Sequence, residues 1–151
     1  MKIRIEIIGG IGEEEVIIRC RELNSTITDI QKAIAEKTSK IPKMVFYKDR
    51  EEYYFPLVNV LFFETDNDTV YAHTAADIFK TEFKLCGLQQ FLPDKFVRIS
   101  KSTIVNIVHI LSINRNLASS SLIRFHKSHK QVYASRLYYK DLKQKLNERN
   151  V

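Results

Sequence analysis

Apolar and polar residues alternate at the start of the chain. Ile3, Ile5 and Ile7 fall on one face, and Lys2, Arg4 and Glu6 on the other. A period of two is a strand pattern. Val16-Ile17-Ile18 reads as a second strand, and Gly9, Gly10 and Gly12 loosen the connection between the two. Ile27, Ile30 and Ile34 then recur at helical spacing. Thr26 is a candidate cap for that helix, with Asp29 three residues on as a short capping-box partner. Pro42 closes the unit. Residues 1–42 therefore read as a small β-β-α unit. A unit of this size buries little apolar area alone. It has to pack on the rest of the chain or on a second subunit.

From Met44 onward the pattern changes to short apolar runs separated by turn residues. Val45-Phe46-Tyr47 and Tyr53-Tyr54-Phe55 flank the charged turn 49–52. Val60–Glu64 and Val70–His73 flank 65–69, where Asp66-Asn67-Asp68 supplies turn chemistry. Ile78–Leu85 reads as another strand. Leu88, Phe91 and Leu92 suggest a short helix stopped by Pro93. Phe96–Ile99, Ile104–Ile107 and Ile110–Ile113 are further strand candidates. Leu122–His126 and Gln131–Ser135 form a hairpin over Lys127–Lys130. Leu142 and Leu146, four apart, mark a C-terminal helix starting near Ser135 or Arg136. Many short strands and few helices predict a mainly β fold, α+β overall.

Charge sharpens this picture. The 151 residues carry a net charge of +6, unevenly spread. Residues 1–42 hold seven basic and seven acidic side chains, for a sum of zero. Residues 43–94 hold five and nine, giving −4, and residues 95–149 hold twelve and two, giving +10. An excess confined to one third of the chain points to a polyanionic partner. The bland alternative is a solvated face. No run approaches the ~18 apolar residues of a membrane span, and the N-terminal alternation lacks the apolar core of a signal peptide. A cytoplasmic location is expected.

The search for catalytic or ligand chemistry gives little. Gly9-Gly10-Ile11-Gly12 does not have the spacing of a phosphate loop, no helix follows directly, and Glu13-Glu14-Glu15 would repel a phosphate. There is no GxSxG, HExxH or paired Cys/His cluster. Cys20 and Cys86 are too far apart in sequence for a metal motif and are expected to be buried free thiols. His126 and His129 straddle a turn without further ligands and read as a surface pair. His73 and His109 read as strand residues. No enzyme activity, cofactor, metal or small-molecule substrate is expected.

Three ordered segments carry a family resemblance. Residues 56–64, Pro-Leu-Val-Asn-Val-Leu-Phe-Phe-Glu, look like an "I-x-x-x-D-I-x-Y-I-E" entry, with Asn59 for the usual Asp. Residues 96–106, Phe-Val-Arg-Ile-Ser-Lys-Ser-Thr-Ile-Val-Asn, are similar to "F-x-R-x-H-R-S-x-I-V-N". Residues 132–139, Val-Tyr-Ala-Ser-Arg-Leu-Tyr-Tyr, are similar to "I-P-V-S-R-R-Y". Together they resemble the LytTR family of bacterial DNA-binding domains, over roughly residues 43–147. The resemblance implies small antiparallel sheets that send loops, instead of a recognition helix, into successive major grooves. It also implies transcription regulation. Ser100, Lys101 and Leu137 depart from the usual His, Arg and second Arg, and Cys86-Gly87 stands where an aromatic or polar pair is usual. These departures bear on base preference.

The residues expected at DNA follow from the loops that the resemblance implies. Asn67 and Thr69 lie in the first, where Asp66 and Asp68 either form the turn or accept from a cytosine amino group. Ser100, Lys101 and Ser102 offer one cation and two hydroxyls, which suits phosphate oxygens. Arg136 precedes or opens the last helix, and Arg is the commonest reader of guanine. Lys140 and Lys143 add basic charge on that helix, against the alternative of a solvated face. Arg98 is either a DNA contact or a structural ion-pair partner. Asn106 looks structural, holding loop backbone through its amide, and Tyr133, Tyr138 and Tyr139 read as packing residues. The expected whole is a stand-alone regulator without a receiver domain, in which residues 1–42 mediate dimerisation or contact a partner. The family resemblance adds a membrane-protein inhibitor as a possible partner. The rival reading is an interaction adapter whose basic third binds an acidic protein, or RNA.

Overall fold

The computed structural model describes residues 1–151 except 11, 13, 39–43, 116–118, 150 and 151. The expected terminator Pro42, Lys43 at the start of the β region, and Ile11 and Glu13 of the glycine stretch lie outside the described residues. The chain divides into two compact units, Met1–Ser39 and Lys40–Val151.

Among its described residues the first unit contains one helix, α1 (Ser25–Thr38). Asn24, not Thr26, caps it: its Oδ1 accepts the Ile27 N–H at 3.0 Å, and its carbonyl accepts the Thr28 N–H at 3.0 Å. Ile27 is buried, and Ile30 and Ile34 are half-buried, so the helical spacing marks a real apolar face. The two expected strands are not formed among the described residues. Ile3, Ile5 and Ile7 are 91%, 85% and 97% exposed. A two-stranded ribbon is marginal without a third layer to cover its apolar face, and among the described residues of this unit none covers it.

The second unit is built from two antiparallel sheets. The larger has seven strands in the order β2-β1-β5-β4-β3-β7-β6. These are β1 (Phe46–Lys48), β2 (Glu51–Tyr53), β3 (Phe62–Asp66), β4 (Thr69–His73), β5 (Ile78–Lys80), β6 (Phe96–Arg98) and β7 (Thr103–Asn106). The smaller has the order β10-β9-β8, from β8 (Ile110–Asn114), β9 (Ser120–Phe125) and β10 (Gln131–Ser135). Among the described residues two α-helices, α2 (Leu85–Phe91) and α3 (Arg136–Arg149), and two short 3-10 turns, Leu57–Asn59 and Ile107–His109, complete the unit. The mainly β reading therefore holds.

Two cores lie on opposite faces of the larger sheet. Phe62, Val97 and Val105 pack with Ile123, Phe125, Val132 and Leu142, from the smaller sheet and α3. Phe63, Phe96 and Ile104 pack with Phe46, Phe79, Leu85 and Leu88. Successive residues of one strand thus serve different cores, as the pleat requires. All four residues of β7 are buried.

The expected strand Ile78–Leu85 is much shorter. It leaves the sheet after Lys80, where the Thr81 N–H and hydroxyl both bond to the Val70 carbonyl, at 2.9 and 3.0 Å. Leu85 and Leu88, three apart, are the buried face of α2 instead. The helix stops where expected: Leu92 takes an extended ψ of 143° before Pro93, as the ring of a following proline demands. Cys20 and Cys86, expected to be buried, are both exposed free thiols.

A polar clamp joins the two sheets at the end formed by the β4–β5 and β9–β10 connections. The Ser128 hydroxyl donates to the Ala75 carbonyl at 2.9 Å. The Lys130 ammonium donates to the Asp77 carbonyl and lies 3.4 Å from Nδ1 of His73. The His73 ring stacks on Phe62, with centroids 4.2 Å apart, and its Nε2 is 3.6 Å from the Glu64 carboxylate. Burial first, then the Lys130 charge, lowers the His73 pKa from 6.5 to about 4. The unfolded chain therefore takes up this proton before the folded one. Stability is full above pH ~6.5 and falls as the pH drops toward ~4. Urea unfolding of the wild type is expected to show a loss of about 2 kcal/mol between pH ~7.5 and pH ~5 from this group, and His73→Gln to remove that part of the slope. Parallel pH profiles for the two proteins would refute the assignment.

Candidate nucleic-acid interface

Three segments meet at the opposite end of the sheets from the clamp. The first is the β3–β4 turn. Asp66 pairs with Thr69, leaving a two-residue turn in which Asn67 and Asp68 have φ of 47° and 67°. This is the left-handed pair that a type I′ hairpin needs, supplied by the residue types that tolerate it best after glycine. The second is the β6–β7 loop, closed by the Ile99 N–H to the Thr103 carbonyl at 3.0 Å. The third is the junction of β10 and α3.

Backbone hydrogen bonds tie the three together. The Thr65 N–H donates to the Ser102 carbonyl at 2.8 Å, which fixes the β6–β7 loop beside the β3–β4 turn. The Ser135 N–H donates to the Ile99 carbonyl at 2.8 Å, which fixes the start of α3 on the other side of that loop. Residues 67–69, 100–102 and 136 thus lie in a row, with the β6–β7 loop in the middle.

Arg98 shapes that middle loop from inside. Its Nε donates to the Ser100 carbonyl at 2.7 Å, Nη1 to the Gln89 side chain at 2.9 Å, and Nη2 to the Lys101 carbonyl. The guanidinium is a brace between α2 and the loop, and its partners are carbonyls, not the acid of an ion pair. Ser100 accepts the Ser102 N–H at 3.3 Å, and the two hydroxyls are 3.4 Å apart. Both serines order the loop, while Lys101 projects from it, exposed. Lys84, the residue before α2, donates its ammonium to the Asp68 carbonyl at 2.8 Å. The helix α2 therefore backs two of the three segments.

Arg136 opens α3 and is exposed. Lys140 and Lys143 follow at four and seven residues on, and helical geometry puts all three on one stripe. Among the described residues, no ion pair engages Lys101, Arg136, Lys140 or Lys143. Leu137, beside Arg136, is 80% exposed. Ser135 at the junction has a buried hydroxyl with no partner among the described residues. Asn106 is fully buried: its amide donates to the Val60 carbonyl at 3.1 Å and accepts the Val108 N–H at 3.2 Å, so it holds the framework and faces no surface. Tyr138 and Tyr139 are half-buried, whereas Tyr133 is exposed and departs from its packing role.

Sequence reasoning did not single out Lys84, Gln89 or Arg115. The first two act through partners distant in sequence. Arg115 follows β8 at the same end of the molecule, with its guanidinium 4.7 Å from the centroid of Tyr139. Its only signal was a lone cation after a strand. Among the described residues, no cluster of His, Cys, Asp and Glu suits a metal ion, and no helix is long and apolar enough to cross a membrane.

Comparison with known proteins decides the family. The model of the LytTr DNA-binding domain matches residues 51–147. The chain belongs to the LytTr DNA-binding domain family. Relatives in Staphylococcus aureus strains NCTC 8325 and COL, named as HTH-type transcriptional regulators, are each 32% identical over 148 residues. The match spans 97% of this chain and 99% of each relative, and so runs through the N-terminal unit as well. A LytTr DNA-binding domain from Bacillus cereus has the same fold, with a TM-score of 0.64 at 21% identity, over 70% of this chain and 98% of that one. The relatives' name speaks of a helix-turn-helix. Among the described residues of this LytTr protein no two helices adjoin in that way, and strands separate α1, α2 and α3.

Arg98 and Lys101 are distinguishable by experiment. Arg98→Ala is expected to weaken duplex binding about tenfold by loosening the loop, with the salt slope unchanged. Lys101→Ala is expected to lower the salt slope by about one. Anisotropy titrations at several salt concentrations check both, and equal slope changes for the two variants would contradict the assignment.

Proposed function

We propose that this LytTr protein is a sequence-specific, double-stranded DNA-binding transcription regulator that docks its row of loops into the major groove. The observation that carries the reading is the pair of backbone bonds, Thr65 to Ser102 and Ser135 to Ile99, that lines up three exposed segments at one end of the fold. Lys101 and the hydroxyls beside it suit phosphate oxygens, which set register on the duplex. Arg136 suits guanine O6 and N7, and Leu137 offers an apolar surface to a neighbouring thymine methyl. Asn67 and Thr69 reach the groove from the other flank. Lys140 and Lys143 supply salt-sensitive affinity that is independent of sequence. Arg98 acts as a positioning residue. The protein works in the cytoplasm, where its operators are.

The first test is selection from random duplex DNA, at two salt concentrations, with wild type and Arg136→Ala. A recovered motif that relaxes at one guanine in the variant, with a loss of roughly 1–3 kcal/mol there, is the expected result. No enriched motif at either salt would favour the adapter reading, with an acidic protein or RNA as the polyanion.

The N-terminal unit is proposed to join two copies. Its exposed Ile3, Ile5 and Ile7 alternate with polar residues along the chain, and pairing with a second copy would bring them onto one face and cover them. Half-sites would then lie on one face of the duplex, ~34–36 Å or a multiple apart. Replacing Ile3, Ile5 and Ile7 by Asp is expected to convert a dimer to a monomer in sedimentation equilibrium. An unchanged mass would remove this role.

A further inference from the structure

The register of the smaller sheet places Arg115, the residue after β8, at the end where the three segments meet. Ser135 pairs with Ser120, and Leu122 pairs with Asn114. The connection that leaves β8 at Arg115 therefore starts beside the beginning of α3. Arg115, Tyr139, Lys140, Lys143 and Asn147 line an open groove of about 670 Å³. Among the described residues, Glu148 is the one acidic lining group. It lies near the C-terminal end of α3, with its carboxylate 3.8 Å from the Lys145 ammonium.

We infer that this groove holds the phosphodiester backbone of the same duplex outside the three loops, so that the footprint runs past the base-reading site. The inference rests on the duplex-binding reading above. Three cations against one partly neutralised anion set the sign of the occupant. Continuity sets its identity: Lys140 and Lys143 extend the helical stripe that begins at Arg136, so a strand leaving Arg136 along α3 passes the groove. Length agrees as well. Arg136 to Asn147 covers ~16 Å at ~1.5 Å per residue, which matches the axial rise of about five base pairs at ~3.4 Å each. The planar guanidinium of Arg115 suits a phosphate. Its contact with the Tyr139 ring restrains the side chain before binding and lowers the ordering cost.

The test compares two duplexes that carry the selected sequence, one with long flanks and one trimmed by about five base pairs on the α3 side. Each is titrated with full-length wild type, Arg115→Ala and Arg115→Lys at several salt concentrations. Wild type is expected to lose about three- to tenfold in affinity on trimming. Arg115→Ala is expected to show that loss already on the long duplex, with a salt slope lower by about one and an unchanged sequence preference. It should then lose no more on the trimmed duplex, and Arg115→Lys should restore most of the slope. Arg115 is exposed, so thermal melting of the variants should match wild type. Sequence-selective binding with Arg115→Ala indistinguishable from wild type on both duplexes overturns the groove alone. Wild type without preference on either duplex overturns the DNA reading and the groove with it.

Discussion

The fold depends on burying β3 and β7 on both faces. Phe62 pairs with Val105 and Phe63 with Ile104, and the members of each pair point into one core. An antiparallel sheet more often leaves one face to solvent. Here the smaller sheet and α3 cover one face, while α2 and the aromatic cluster around Phe46, Phe55 and Phe79 cover the other. A register slip of one residue would exchange the two cores, so the strands are strongly pinned. Their ends are pinned as a consequence. The turn after β3 and the loop before β7 emerge side by side from the best-buried part of the second unit, and they form two of the three segments of the candidate interface.

Much of this was legible in the sequence because it is local. The Asp66-Asn67-Asp68 turn, the stop at Pro93 and the hairpin over Lys127–Lys130 each follow from a few adjacent residues, and the structure places them within a residue or two. The three loops that the structure brings side by side were named through the resemblance, not through periodicity. The misses share a cause. Whether Ile78–Leu85 runs on as a strand depends on Thr81 bonding to Val70, eleven residues earlier. Whether Arg98 faces DNA or the protein depends on Gln89 and on the curl of its own loop. The alternation in Ile3, Ile5 and Ile7 states only that one face is apolar. It does not supply the surface that would cover it. Burial of Cys20 and Cys86 was inferred from residue type alone, which takes no account of position in the fold.

Charge and architecture point the same way along the molecule. Lys101, Arg115, Arg136, Lys140 and Lys143 gather on α3 and the loops beside it, whereas Lys127 and Lys130 lie at the clamp end, where the β1–β2 hairpin carries Asp49, Glu51 and Glu52 beside Arg50. The Lys48–Asp77 pair ties that hairpin to the start of β5, at the clamp end. Five cations without an ion pair among the described residues are thus concentrated where the three segments meet. Such a distribution orients a protein during approach to a polyanion and raises the fraction of encounters made with the correct face.

The bonds that align the three segments run from backbone to backbone. A hydrogen bond from Thr65 to Ser102, or from Ser135 to Ile99, is indifferent to the side chains on either residue. Lys101, Arg136 and Leu137 are exposed and contribute nothing to that alignment. The scaffold thereby separates the geometry of docking from the vocabulary of recognition. A lineage carrying this domain can exchange the exposed side chains of these segments one at a time without passing through an unfolded intermediate.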